Sequence, residues 1–126
     1  MYCISRVYTL PLLSQSMKNL NIDGFLFKGP HRLDVDILPA VPAVALIATE
    51  SGEGIQILSI IQSENIQKEI AESKWRECWK KNGWNGVDIY VQPNDDASKR
   101  EMIRNRIRDK RRESIKCEDF SAPAII

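Results

Sequence analysis

Apolar residues concentrate first in Ala43-Val44-Ala45-Leu46-Ile47-Ala48-Thr49, and again in Ile55-Gln56-Ile57-Leu58-Ser59-Ile60-Ile61. Both runs have strand length and β-branched content. Glu50-Ser51-Gly52-Glu53-Gly54 between them holds two glycines that accept positive φ, so the pair predicts an antiparallel hairpin. The spacing then changes. Ile66, Ile70, Ala71, Trp75, Cys78 and Trp79 recur at helical intervals behind Ser63, a suitable N-cap, until Asn82-Gly83 ends the pattern. Val87-Asp88-Ile89-Tyr90-Val91 alternates as a third strand, which Pro93 stops. Met102, Ile103 and Ile107 form a narrow buried stripe on a last helix that Asn94 or Asp95 can cap.

The first forty residues are patterned differently. Tyr2 to Tyr8 is compatible with a strand, Leu10 to Asn19 fits neither period, and Gly24-Phe25-Leu26-Phe27-Lys28 is a short apolar segment closed by the turn signal Gly29-Pro30. Asp34, Asp36, Pro39 and Pro42 then lead irregularly into the main apolar run. The expected organisation is an N-terminal extension (1–40) packed on an α/β unit (41–113), followed by a tail (114–126). The expected fold is of the α/β (α+β) class. A small mixed three-stranded sheet is flanked by helices, in the order strand, strand, helix, strand, helix from residue 43. A chain of 126 residues fits one such domain.

Composition narrows the classes. No stretch approaches the roughly 20 apolar residues that cross a bilayer, and Met1 to Arg6 lacks the basic and apolar regions of a secretory signal. Cys3, Cys78 and Cys117 are odd in number and widely spaced, so they are expected to be reduced thiols in a cytoplasmic protein. With His31 the only histidine, no zinc site is expected, and Gly52-Glu53-Gly54 lacks the Lys-Ser or Lys-Thr of a phosphate loop. No cofactor is implied. The net charge is +1, but its distribution is uneven: residues 96–112 hold eight cations against Asp96, Glu101 and Asp109. Such a basic field attracts nucleic acid or an acidic partner.

The order of elements, with Ala43-Val44-Ala45, Ser59-Ile60-Ile61, Gln62-Ser63-Glu64-Asn65-Ile66 and Ile89 to Asp96 at its joints, resembles a GIY-YIG nuclease domain over about residues 39 to 110. The resemblance implies a site built from two tyrosines, a helix arginine and a metal-binding glutamate. Here Ala45 and Ser59 replace the tyrosines and Ile61 the glycine of the second triplet. Glu69 holds the place of the arginine, and the metal-binding glutamate falls near Arg104, one turn after Glu101. Phosphodiester hydrolysis at such a site needs a carboxylate on the metal and a cation near the developing phosphoryl charge; the replacements reverse both. The resemblance therefore implies a catalytically inactive homologue.

Arg100, Arg104, Arg108 and Arg111 follow at i, i+4, i+8 and i+11 on one face of the last helix, where guanidinium groups suit paired hydrogen bonds to phosphate. The bland alternative is a solvated helix face. Trp75 and Trp79 are expected to be buried, and Trp84 to be the exposed contact candidate. His31 as a base, and Asp34 with Asp36 or Asp95 with Asp96 as metal ligands, lack a supporting pattern. Capping and loop roles account for the acidic pairs. The expected function is a nuclease-like accessory protein that binds DNA or RNA backbone through its basic helix. A protein-interaction module or inhibitor with an acidic partner surface is the alternative, followed by a metal-dependent nuclease with a displaced site at Glu101 or His31.

Overall fold

The computed structural model describes residues 18–83 and 85–118. The predicted strand at Tyr2 to Tyr8, the contact candidate Trp84 and the tail from 119 lie outside the described residues. The strands are β1 (Lys18–Ile22), β2 (Phe25–Arg32), β3 (Ala43–Ser51), β4 (Gly54–Ser63) and β5 (Asp88–Pro93). The helices are α1 (Ile66–Ala71), α2 (Arg76–Asn82) and α3 (Ala97–Lys110).

One five-stranded sheet runs in the order β1-β2-β5-β3-β4, and all its pairings are antiparallel. The α+β class stands, but the expected mixed three-stranded sheet is corrected in size and direction. The connection through α1 and α2 carries β5 past β3 and returns it in the direction of β4. Its neighbour is β3, which runs the other way. Residues 18–32, assigned to an extension, supply the other two strands. Their turn is Asp23-Gly24, with φ of 56° and 90°, the geometry that Asp-Gly adopts in a two-residue hairpin. Gly29-Pro30 is not a turn: it is a cis peptide bond inside β2, where the register with β5 shifts.

β3 is buried on both faces, which explains its unbroken apolar sequence. On one face α1 and α2 cover Ala45, Ile47, Leu58 and Ile89 with Ile66, Ile70 and Trp79; on the other, α3 covers Val44, Leu46, Ile60 and Tyr90 with Ile103 and Ile107. The predicted single helix after β4 is two, capped at Asn65 rather than Ser63 and interrupted at Glu72–Trp75. α3 starts one residue later than expected, with Asp96 Oδ1 accepting from the N–H groups of Ser98 and Lys99. Met102, assigned to its buried stripe, is exposed, and Arg100 takes that place beside Ile103 and Ile107.

The last described segment straps the outer edge of β4. Ile115 is buried on the α3 side and Cys117 on the α1/α2 side. The Cys117 N–H donates to Leu58 O at 2.9 Å, and its carbonyl accepts from Ser59 Oγ, which in turn accepts from Trp79 Nε1 at 2.8 Å. Cys117 is bonded to Cys78 of α2, their Cα atoms 5.8 Å apart. The expectation of reduced thiols is corrected for these two. Their separation of 39 residues hid a proximity created by the fold. No helix among the described residues is long and apolar enough to cross a membrane.

Candidate functional site

Among the described residues α3 is the one helix on its face of the sheet, with Ile115 of the strap beside it. The four arginines expected there do not form one row. Arg100 is 3% exposed; its Nε donates to Gln62 Oε1 and its Nη1 to Asn94 O, both at 2.9 Å, joining the end of β4 to the turn before α3. Arg111 donates to both carboxylate oxygens of Asp23 at 2.6 and 3.0 Å, fastening α3 to the β1–β2 turn. Both guanidinium groups serve the fold.

Arg104, Arg108 and Arg112, spaced i, i+4 and i+8, form a row on one flank of α3. Acidic neighbours temper it: Arg104 lies 3.3 Å from Glu101, and Asp109 lies 3.9 Å from Arg108 and 3.5 Å from Arg112. Lys99, Arg106 and Lys110 occupy the opposite flank at i, i+7 and i+11, with Lys110 reaching to 3.7 Å from Asp23. Besides the anchors Arg100 and Arg111, five cations lie on α3 and Arg112 follows it. Arg112 and the second flank belong to the basic field expected over residues 96–112 but not to the expected four-arginine stripe.

The first flank borders a cleft of about 290 Å³ across the edge of β4. Glu69 of α1, Lys74 and Trp75 from the α1–α2 link, Arg104 of α3 and Glu118 beyond the strap line it. Glu69 and Arg104 thus line one cleft, although their helices lie on opposite faces of the sheet. A short polar chain positions Arg104. Arg100 donates to Gln62, Gln62 Nε2 donates to Glu101 Oε1 at 3.3 Å, and Glu101 Oε2 accepts from Arg104 Nη1. No family model matches the chain, and neither does any curated protein or solved structure.

The remaining candidates are held apart. His31 sits on β2 opposite Ile89, where burial pushes its imidazole below the usual histidine range against the pull of Asp36. Glu101, on α3, accepts from Gln62 of β4 and from Arg104 and Asn105 of its own helix. Asp34 pairs with Arg76, which holds its carboxyl below the ordinary range, whereas Asp36 accepts from the Arg32 N–H. Asp96 is the α3 cap. Among the described residues, no three His, Cys, Asp or Glu side chains gather in a metal-binding group.

Asp23 offers a direct test of the helix anchor. Its hydrogen bonds from Arg111 hold the carboxyl below the usual carboxylate range, despite a burial effect in the other direction. The folded value is depressed, so the stabilisation is complete above the unfolded pKa of about 4 and fades as pH falls through the lower folded value. Asp23→Asn preserves the positive-φ preference of the turn and removes the charge. We expect a loss of about 1 kcal/mol at pH 7 in urea unfolding. The difference from the parent should shrink below pH 4.

Proposed function

We propose that this chain is a catalytically inactive, nuclease-like accessory protein that binds nucleic-acid backbone through α3. The observation that carries this reading is the run of cations α3 retains on its two flanks, from Lys99 to Arg112, after Arg100 and Arg111 have been drawn into the fold. Guanidinium and ammonium groups along a helix match the repeating charge of phosphates without reading sequence. The meeting of Glu69 and Arg104 supports the inactive part of the reading. A carboxylate stands where the resemblance has the phosphate-facing cation, and a cation where it has the metal ligand. An anionic ligand can meet Arg104 there, but the arrangement for hydrolysis is inverted.

The test is equilibrium binding to labelled duplex and single-stranded DNA and RNA across a salt series. Arg106→Glu/Arg112→Glu is the companion variant: both side chains are exposed, one lies on each flank, and neither lines the cleft. The parent should bind with an affinity that falls steeply as salt rises. The variant should bind at least tenfold more weakly, with its salt slope reduced by about two counterions. A folded parent that binds no nucleic acid at low salt overturns the proposal and turns attention to an acidic protein surface.

A further inference from the structure

The cleft at the β4 edge joins chemistry that a backbone-binding helix alone does not need. Trp75 precedes α2 and is half-buried, packed on the core cluster beneath the sheet. The Lys74 ammonium stands 5.4 Å from the Trp75 ring centroid. Lys74 is itself exposed, and both it and Trp75 line the cleft. Such an exposed cation over a ring is weakly held and free to move aside. Arg104 faces the same space from α3 and is positioned through Glu101, Gln62 and the buried Arg100. Glu69 and Glu118 add carboxylates, which as ions only accept hydrogen bonds.

Resting on the backbone-binding reading, we propose that this cleft holds one unpaired, amino-bearing nucleotide of a single-stranded nucleic acid. Its base lies on Trp75, and its phosphate is met by Arg104 and the displaced Lys74. The aromatic face can stack only on a base whose own face is uncovered, which a duplex does not offer. The cleft's volume of about 290 Å³ suits a single nucleoside rather than a pair. The carboxylates define the base. Adenine, cytosine and guanine present exocyclic amino donors to Glu69 or Glu118, whereas thymine and uracil present carbonyl oxygens on both sides of their one N–H. The carboxylates would also repel phosphate from their side of the cleft and leave it to the two cations. A flexible single strand would thus run from α3 into the cleft.

Fluorescence anisotropy with labelled twelve-nucleotide strands of adenine or thymine, and with the duplex they form, tests the site. Trp75→Leu removes the stacking surface; Trp75→Phe preserves it, and the unfolding midpoints of both report on the fold. The parent should bind the adenine strand several-fold more tightly than the thymine strand. Trp75→Leu should lose about tenfold or more on the adenine strand and little on the duplex, and Trp75→Phe should restore most of the loss. If the two strands bind alike, or if Trp75→Leu and Trp75→Phe bind as the parent does, the cleft site is overturned. The backbone reading survives that result as long as Arg106→Glu/Arg112→Glu still weakens every complex. A folded parent that binds none of the three overturns both.

Discussion

Reduction of the Cys78–Cys117 bond is expected to lower the free energy of unfolding by about 3 to 4 kcal/mol, the chain-entropy effect of releasing a loop of this length. The bond closes a segment of 39 residues that contains the end of α2, β5, all of α3 and the strap. In the oxidised protein the unfolded chain is constrained to bring α2 and the strap together. Reduction removes that constraint and leaves the strap held by Ile115, by the Cys117 backbone bonds to Leu58 and Ser59, and by burial of the thiol itself. Thermal unfolding with and without a dithiol reductant should show a midpoint lower by roughly 10 °C in the reduced sample. Reduction is a cleaner perturbation than Cys117→Ala, which would add a cavity at a fully buried position. Alkylation of the denatured, unreduced protein checks the premise. It should modify one cysteine of three; modification of all three would show that the bond is absent.

The elements that sequence reading located best were those whose period agreed with their environment. The unbroken apolar run of β3 is that of a strand covered on both faces, and the Gly52-Glu53 hairpin follows from two adjoining runs of similar length. Asp23-Gly24 is an equally readable turn signal, but the strand before it, Asn19-Leu20-Asn21-Ile22, alternates over only four residues and half of them are asparagine, a residue depleted in strands. Gly29-Pro30 misled for a physical reason. The pair usually marks a turn, but here Gly29 lies where an added Cβ would fall 2.7 Å from Ile89 O, so the glycine serves close strand packing. The break between α1 and α2 was concealed because Ile66, Ile70 and Trp79 still face one core across it.

The candidate site was less legible, since its lining comes from elements distant in sequence. Local spacing placed the arginines on a helix but did not show which would be claimed by Asp23 or Gln62. Those partners are 88 and 38 residues away. Glu69 and Arg104, 35 positions apart in the sequence, line one cleft only because α1 and α3 both reach the edge of β4. Trp75 was assigned to burial because helical periodicity treats it like Trp79. In the structure Trp79 is enclosed while Trp75 reaches the cleft at the helix break.

Arg100→Met is expected to destabilise the protein by about 1 to 3 kcal/mol, the cost of leaving two partly buried acceptors without their charged donor. Methionine retains much of the aliphatic volume beside Ile103, so the loss of packing is small. The loss of hydrogen bonds is not. Gln62 Oε1 and Asn94 O each give up a 2.9 Å partner, in a place that water reaches poorly because Arg100 is 3% exposed. Arg100→Lys should recover only part of the loss, since one ammonium cannot reproduce two separated N–H donors of a planar fork. Arg104→Met, at a partly exposed position whose ion pair with Glu101 reaches solvent, is the comparison and should change stability by less than about 1 kcal/mol. Urea unfolding of the three variants separates two roles that a sequence stripe treats as one. An anchor in the fold loses stability when truncated, whereas a ligand contact loses binding at nearly unchanged stability. Should Arg100→Met keep the parent's stability and lose affinity for nucleic acid, Arg100 would be a contact residue. The chain from Arg100 through Gln62 and Glu101 would then not be what positions Arg104.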